Sequence, residues 1–329
     1  MNLKKAVILY NELSENAGPD EADVLEQVNI IAENFDKLGI RFSKLTFSLN
    51  MQRAEEDLLK LKPDFVFNLV EGVNNKGDLI FLAPALLNSL KIPFTGGSLE
   101  TIFITSSKTL AKERMKQGGV PTAYWYHGEG VFTPQQGKRY IVKPIWEDGS
   151  LGLDEHCVFW WNESGLKKAA EELNPATHFI EEYIDGREFN ISILAGPDGP
   201  TVLPHAEIMF DDYHGDKPKM MGYAAKWNEE SFEYNNTRRT FDISTDDELL
   251  LNKLTGLTRK CWDVFKLNGY ARVDFRVDSK GNPMVLEINV NPCISTNGGF
   301  YAACEKAGIS FDEAVVRIIN DIPYPKERP

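Results

Sequence analysis

Cysteine and histidine are scarce in this chain of 329 residues. The four cysteines, Cys157, Cys261, Cys293 and Cys304, have no C-x-x-C spacing, so disulfides need not be invoked. The five histidines are scattered and lack the spacing of metal ligands. A zinc centre is therefore not expected.

Positive charge and long apolar stretches are also in short supply. The net charge of −13 argues against nucleic acid or an anionic membrane as a partner. No stretch approaches the roughly 20 apolar residues that a membrane span requires. The apolar run in KAVILY is too short for the core of a signal peptide and predicts a first strand instead. We therefore expect a cytoplasmic protein.

The beginning of the chain alternates between strand and helix patterns. Strands are predicted at residues 5–10, 40–47, 64–70 and 92–95, and helices at 23–38, 54–61 and 79–90. Such alternation predicts a small parallel α/β domain, in which ligands sit at the carboxyl ends of the strands. The polar residues near those ends are Asn11, Glu12, Asn68 and Glu71. No G-x-G-x-x-G is present, so the dinucleotide fingerprint is absent.

The remainder of the chain predicts a mixed α and β region. Strands are expected at residues 139–144, 157–161, 178–183, 189–195 and 203–210, and helices at 106–118, 164–173, 246–267 and 310–322. Residues 211–240 are polar and irregular, and a loop of that length is usually functional or disordered. The chain is longer than a single core usually supports, which predicts two or three subdomains.

The segment NGYARVDFRVDSKGNPMVLEINVNP, residues 268–292, predicts a β-hairpin. Its strands are expected at residues 271–277 and 284–290, on either side of the turn residues 278–283. Side chains alternate between the two faces of a strand. The apolar face is predicted to contain Val273, Phe275, Leu286 and Ile288.

The opposite face of this hairpin carries four polar side chains. If the turn centres on Lys280–Gly281, Asp274 lies opposite Glu287 and Arg272 lies opposite Asn289. Two carboxylates facing each other across a sheet repel, and a hard cation between them relieves that repulsion. Oxygen ligands of this kind suit Mg²⁺. The alternative is a half-solvated hairpin with its charges outward, and this segment alone does not decide between the two.

Four further patterns suggest chemistry without proving it. Lys143 and the Gly-rich loop after it are typical of a phosphate site, but also of a plain surface connection. FIEEYIDGREF could bind a purine through its backbone and a ribose through Glu188, or could be a solvated acidic turn. Lys226 could reach a phosphate from a lid, although a single lysine in a polar segment does not identify a phosphate site. Cys293 has no nearby histidine in sequence, so an inert thiol is expected.

These patterns occur together and in one order. Lys108 is followed by VKP with its Gly loop, then by EEYIDGREF, Lys226, ARVDF and LEINVNP. That order resembles the ATP-grasp superfamily and, within it, the D-alanine–D-alanine ligases, over nearly the whole chain. The resemblance implies an α/β N-terminal (pre-ATP-grasp) domain at 1–96 and an α+β ATP-grasp fold of two subdomains, 97–186 and 187–329. It also implies a possible homodimer.

The resemblance implies ATP and Mg²⁺ (or Mn²⁺) as cofactors. By similarity, Lys108, Lys143 and Lys226 contact the phosphates, and Lys143 also lies near the adenine. Glu181 and the backbone around Glu182 and Ile184 are implied to bind the adenine, and Glu188 the ribose. Asp274, Glu287 and Asn289 would hold the metal in the large subdomain. Arg272 and the retained Ser150 are the implied catalytic residues.

The implied reaction is the ATP-dependent joining of a carboxylate to an amine through an acyl phosphate, with release of ADP and phosphate. The chain departs from the D-alanine ligases where substrate would bind: Cys293 replaces a typical Gly, and Glu71 stands where His-Gly is typical. Amino-acid or peptide substrates other than, or besides, D-alanine are therefore expected. The substrate candidates are Glu71, which could bind an ammonium or be a surface acid, and Asn291, Cys293 and Ser295.

Three other functions stay open at this point. The first is genuine D-alanine–D-alanine ligation in cell-wall synthesis. The second is a phosphotransferase that stops before ligation. The third is a nucleotide-binding module without catalysis, which the joint presence of Arg272, Asp274, Glu287 and Asn289 disfavours because binding alone does not need the full metal set.

Overall fold

The computed structural model describes residues 4–14, 17–127, 133–146, 149–162, 165 and 174–323. The predicted helix at 164–173 and Asp148 of the Gly loop therefore lie outside the described residues, Gly165 apart. All four cysteines are free, as expected. Within the described ranges, no helix is long and apolar enough to cross a membrane.

The N-terminal region is the parallel α/β domain that the alternation predicted. Its three strands pair in the order β2-β1-β3, and all pairs are parallel. The elements are β1 (Lys5–Asn11), α1 (Pro19–Leu38), β2 (Arg41–Phe47), α2 (Met51–Leu61), β3 (Phe65–Leu69) and α3 (Leu82–Ser89).

Two local predictions in this domain were wrong. The helix expected at 79–90 is split into a 3₁₀ turn at Gly77–Leu79 and the shorter α3. The strand expected at 92–95 is reduced to a single bridge between Phe94 and Val66. Phe94 lies at the edge of the small sheet, where one bridge is enough to bury its ring with the core around Val66.

Two consecutive helices lead into a second, antiparallel sheet. The helices are α4 (Leu99–Ser106), which the sequence pattern missed, and α5 (Lys108–Gln117). Ser98 caps α4 by accepting a hydrogen bond from the Thr101 N–H, a start signal that was present in the sequence. The sheet has the order β4-β7-β5-β6, with β4 (Trp125–Tyr126), β5 (Arg139–Pro144), β6 (Val158–Trp160) and β7 (His178–Glu182).

The largest sheet follows and contains the predicted hairpin. Its order is β11-β10-β8-β12-β13, with β9 paired to β8. The strands are β8 (Arg187–Leu194), β9 (Thr201–Val202), β10 (Ala206–Phe210), β11 (Thr237–Thr240), β12 (Tyr270–Val277) and β13 (Pro283–Val290). The segment 211–240 is less irregular than expected, because it contains α6 (Tyr223–Trp227), α7 (Phe232–Asn235) and β11.

Three helices complete the second half of the chain, and two of them pack against the N-terminal domain. They are α8 (Glu248–Phe265), α9 (Gly299–Lys306), which was not predicted, and α10 (Phe311–Asn320). α8 packs on the large sheet, whereas α9 and α10 share a buried core with α1 and the first sheet. The C-terminal helices are therefore packed onto the N-terminal domain, which brings the loop after β13 against α1.

The hairpin register agrees with the prediction on its polar face. Asp274 pairs with Glu287, and Arg272 pairs with Asn289. The prediction for Leu286 was wrong, because a bulge after Asp274 shifts the register by one residue. Val285 takes the buried position opposite Phe275, and Leu286 turns toward the polar side.

Candidate functional site

A cleft of about 790 Å³, open to solvent, lies between the four-stranded sheet and the large sheet. β5 and β7 form one wall, and β8, β12 and β13 form the other. Most residues that the sequence singled out for ATP, metal and catalysis line this cleft. They are Lys108, Lys143, Ser150, Glu181, Glu182, Ile184, Glu188, Lys226, Arg272, Asp274 and Glu287.

The polar face of the hairpin is bound together by short contacts. Arg272 donates from Nε to Oδ1 of Asp274 and from its terminal nitrogen to Oδ2, both at 2.8 Å. The Asn289 amide donates to Asp274 at 2.9 Å and to Glu287 at 3.3 Å. The Asn289 amide thus bridges the two opposed carboxylates, whereas the Arg272 guanidinium pairs with Asp274 alone. The guanidinium supplies positive charge beside the carboxylate pair.

The same residues offer the oxygen ligands that Mg²⁺ prefers. Two carboxylates and one amide face each other across adjacent strands. Across the described ranges, no cluster of three or more histidine, cysteine or acidic side chains could hold a metal ion. The donor set therefore fits a hard cation that takes its remaining ligands from a phosphate or water, rather than a closed protein cage.

The two carboxylates of the hairpin differ in their affinity for protons. Burial raises the pKa of Asp274 above its ordinary value, although Arg272 opposes the shift. Burial also acts to raise the pKa of Glu287, but Lys108, Lys226 and Arg272 outweigh it and lower this pKa to about 2. Lys108 lies 4.0 Å from the Glu287 carboxylate. Glu287 is therefore ionised throughout the neutral range and provides a permanent negative charge beside the lysines.

Lys226 reaches the cleft from α6. Burial and the nearby Arg272 lower its pKa. Ser150, which has φ +67°, donates from Oγ to the Met221 carbonyl at 2.7 Å. The Trp227 indole donates to the Gly149 carbonyl at 3.3 Å. The Gly loop and the segment that carries Lys226 are thus in direct contact over the cleft.

Glu188 lies deep in the cleft beside Arg276. Burial raises the pKa of Glu188, and Arg276, at 3.3 Å, opposes that rise. Arg276 also donates to the Tyr183 hydroxyl at 3.0 Å and to the Lys219 carbonyl. Sequence reasoning missed Arg276, although alternation along β12 places it on the same face as Asp274.

The Glu181 side chain lies at the wall of the cleft, and its carboxylate is already engaged by two lysines. Its carboxylate lies 2.8 Å from the Lys112 ammonium and 2.9 Å from that of Lys143. Glu181 is 1% exposed and Lys112 is fully buried. In the sequence, Lys112 was only one of several lysines on a basic helix. Nothing local marked it as the one that would be buried.

The substrate candidates lie away from this cleft, at the junction of the hairpin with the N-terminal domain. Asn291, with φ +53°, accepts at Oδ1 a hydrogen bond from the Gly97 N–H at 3.1 Å. A Cβ on Gly96 would lie 1.8 Å from that same oxygen. The side chain of Asn291 therefore joins the two parts of the chain, and the approach requires glycine at 96.

Cys293 and Ser295 belong to a polar cluster with α1. The Cys293 thiol lies 2.9 Å from Asp23 Oδ2 and 2.9 Å from Ser295 Oγ. Burial raises the pKa of Cys293, and Glu71 and Asp23 raise it further. A thiol held protonated in this way is a poor nucleophile, in agreement with the sequence interpretation.

Gln27 organises this cluster, and no sequence pattern indicated its role. The buried Gln27 amide donates to Glu71 at 2.9 Å and to Asp23 at 3.2 Å, and its oxygen accepts from the Ile294 N–H at 3.2 Å. The buried Tyr270 hydroxyl has no hydrogen-bond partner within the described part of the chain. Two acidic side chains thus meet a thiol and amide groups at the end of the hairpin.

The chain is similar to known proteins over most of its length. A family model described as "D-ala D-ala ligase C-terminus" matches residues 135–320. An uncharacterized protein of Sinorhizobium fredii is 30% identical over 273 residues, covering 80% of this chain and 76% of that one. A D-alanine–D-alanine ligase of Aquifex aeolicus is 28% identical over 269 residues, covering 80% of this chain and 84% of that one.

A solved structure has the same fold. The crystal structure of D-alanine–D-alanine ligase from Bacillus anthracis superposes with a TM-score of 0.73 at 21% identity, covering 97% of each chain. The complex of that enzyme with ATP superposes with a TM-score of 0.70 at 20% identity and the same coverage. The likeness extends over the first domain, which the family model does not include.

Proposed function

Because this chain belongs to the D-alanine–D-alanine ligase family, it is an ATP-dependent carbon–nitrogen ligase, and we propose that its cleft joins the carboxylate of one amino acid or peptide to the amine of another. The single observation that carries the proposal is the pairing of Asp274 with Glu287 beside Arg272. A carboxylate pair flanked by Arg272, Lys108 and Lys226 suits a phosphoryl group with its metal. We also propose the predicted division into 1–96, 97–186 and 187–329.

ATP occupies the cleft between the two sheets in this proposal. Lys108, Lys143 and Lys226 neutralise its phosphates, and the convergence of these three side chains on one cleft supports this. The backbone around Glu182 and Ile184 binds the adenine edge, and Glu188 accepts hydrogen bonds from the ribose. The structurally similar Bacillus anthracis enzyme binds ATP, which supports the assignment of the nucleotide.

Asp274, Glu287 and Asn289 hold Mg²⁺ in the proposal, with Mn²⁺ as a substitute. When bound, the metal shields the negative charge of the phosphates. Arg272, already paired with Asp274, lies where charge develops on the substrate. Its fixed fork of donors is suited to an oxyanion, which makes it the group that stabilises the tetrahedral intermediate.

The proposed ligation has two steps. A carboxylate oxygen of the first substrate attacks the γ-phosphorus of ATP, so that an acyl phosphate forms and ADP leaves. The amine nitrogen of the second substrate then attacks the carbonyl carbon. The phosphate departs with the bonding electron pair, and the amine loses a proton. Ser150 contributes by holding the Gly loop against Met221, which excludes water from the acyl phosphate.

The substrate ammonium is assigned to the acidic cluster at the end of the hairpin. Glu71 and Asp23 supply the negative charge. The Cys293 thiol lies against Asp23, and Ser295 lies against that thiol. Asn291 holds the neighbouring Gly96–Gly97 turn. An amino acid or short peptide with a free amino group is the substrate class that this chemistry favours. D-alanine as both substrates is the second candidate, favoured by the names of the relatives.

One assay tests the proposal. The full chain is incubated with ATP and Mg²⁺ against a panel of amino acids and dipeptides, including D-alanine, and phosphate release and product masses are measured. A dehydrated conjugate with equal amounts of ADP and phosphate is expected. A phosphorylated product without free phosphate would overturn ligation in favour of phosphoryl transfer. D-alanyl-D-alanine as the preferred product would decide for the second candidate.

A further inference from the structure

A buried triad of charges lies directly behind the nucleotide wall of the cleft. It consists of Lys112 on α5, Glu181 on β7 and Lys143 on β5. We infer that Lys112 is a positioning residue for the nucleotide: by neutralising Glu181 from behind, it leaves Lys143 available to ATP. The inference rests on the proposed function, in which Lys143 contacts the phosphates.

The two lysines approach Glu181 from different sides. Lys143 lines the cleft, and its side chain remains 13% exposed. Lys112 is fully buried and is not among the residues that line the cleft. Burial alone would raise the pKa of Glu181, yet Lys112 and Lys143 together lower it. Glu181 is therefore ionised, with one counterion inside the protein and one facing the ligand.

The position of Lys112 is set by the strand that carries the metal ligands. Its ammonium donates to the Thr122 hydroxyl at 2.7 Å, and that hydroxyl donates to the Val285 carbonyl at 2.7 Å. The Val285 N–H donates in turn to the Pro121 carbonyl at 2.8 Å. Lys112 is thus attached to β13 two residues before Glu287. It cannot follow a ligand into the cleft without breaking these bonds.

Lys112 should determine how easily Lys143 leaves its ion pair with Glu181. With Lys112 present, Lys143 can turn to a phosphate and Glu181 keeps a counterion. Without Lys112, Lys143 is the cation that remains within 4.0 Å of Glu181 among the described residues. ATP would then have to break the last ion pair of a buried carboxylate, which is strongly unfavourable. The loss should appear in nucleotide affinity rather than in the amine-transfer step.

The first test measures ATP binding to the full chain by calorimetry with Mg²⁺. Lys112→Met should raise the Kd for ATP about tenfold or more, a coupling of the size found between contacting charges. Lys116→Met is the matched control, because Lys116 lies one turn further along α5 and has a similar distance to the Trp125 ring, 6.0 Å against 5.9 Å for Lys112. It should leave Kd unchanged, and Lys112→Arg should restore part of the affinity. Equal Kd values for Lys112→Met and the wild type would overturn the inference.

A double-mutant cycle separates charge neutralisation from simple packing. If Lys112 acts through Glu181, Lys112→Met should change Kd by less than about twofold in a Glu181→Gln background. The same loss in both backgrounds would overturn the inference, because it would mean that Lys112 acts by filling space. If Lys112→Met alone does not fold, as judged by thermal unfolding, a Kd for the double variant well above that of Glu181→Gln would still overturn the inference.

The failure of the inference is distinguishable from that of the proposed function. A wild-type chain that binds no ATP would overturn the proposed function and this inference with it. A wild-type chain that binds ATP, with Lys112→Met equally tight, would overturn the inference alone. In the supporting outcome, KM for ATP rises with the Kd while kcat at saturating ATP changes little.

Discussion

The two ends of the hairpin handle negative charge in opposite ways. In the cleft, carboxylates are paired with cations: Asp274 with Arg272, and Glu188 with Arg276. At the junction with α1, Asp23 and Glu71 share the neutral amide of Gln27, and the Cys293 thiol lies against Asp23. Neutral donors satisfy hydrogen bonds but leave the charge of a carboxylate in place.

This difference indicates what each end can bind. The cleft already balances its acids with side-chain cations, so an anionic ligand must bring a metal or displace an ion pair. At the junction, Asp23 is held by the neutral amide of Gln27 and the thiol of Cys293, which suits a ligand that is itself positively charged. A nucleotide at one end and an ammonium at the other agree with the proposed function, in which ATP and a substrate with a free amino group both bind. Four substitutions test this contrast, beginning with the one expected to reduce activity most.

Replacing Asp274 by Asn should nearly abolish turnover. The change removes the charge that Arg272 and the proposed metal share, so kcat should fall roughly a thousandfold. Steady-state phosphate release measures it. Asp278→Asn, in the turn of the same hairpin, is the control and should retain activity. A wild-type rate in Asp274→Asn would refute the metal assignment and the contrast built on it.

Replacing Gly96 by Ala should weaken the contact between the end of the hairpin and the Gly96–Gly97 turn. Gly96 has φ +81°, and its new Cβ would lie 1.8 Å from Asn291 Oδ1, so the loop must shift. Thermal or urea unfolding should show a loss of about 3 kcal/mol. Gly39→Ala, at φ +68° with nothing within 4 Å, isolates the backbone strain and should lose only about 1 kcal/mol. Equal losses would show that the contact with Asn291 contributes nothing.

Replacing Asp23 by Asn should affect the amino-acid substrate and not the nucleotide. Removing this charge should raise KM for the amino-bearing substrate about tenfold and leave KM for ATP unchanged. Glu33→Gln, on an exposed position of α1, serves as the control for a lost charge on the same helix. A rise in KM for ATP of the same size would contradict the division of labour between the two ends.

The smallest effect concerns the turn that holds the hairpin register. Hydrogen bonds from Asn282 and from the Lys280 N–H lower the pKa of Asp278 below its ordinary value. Because the folded-state pKa is lower, the stabilisation is present above the unfolded pKa and is lost as pH falls through the folded pKa. Asp278→Ala should cost about 1 kcal/mol near neutral pH.

Unfolding midpoints measured near neutral pH and at successively lower pH check this prediction. The gap between Asp278→Ala and the wild type should narrow on the acid side. A gap that widened as pH fell would mean that the carboxylate does not stabilise the turn in its ionised form.

Much of the local structure could be predicted from the sequence. Alternation along β12 and β13 gave the pairing of Asp274 with Glu287, and the strand–helix alternation gave the first sheet. The bulge after Asp274 could not be predicted, because no residue in the hairpin forces it, and Leu286 was misplaced as a result. α4 and α9 were missed because each is a short helix whose stability depends on packing against the rest of the fold. The cytoplasmic location and the homodimer stay predictions.

From the sequence alone, the two-residue period of the strands placed Asp274 and Glu287 on one face of the hairpin, since the face of a side chain is a local property wherever no bulge interrupts the strand. Its ordered motifs also indicated the family that the comparisons then established. The burial of Lys112 against Glu181 and the contact of Asp23 with Cys293, 270 residues away, became visible in the tertiary structure alone. Contacts of that kind depend on how sheets and helices pack, and no local pattern records them.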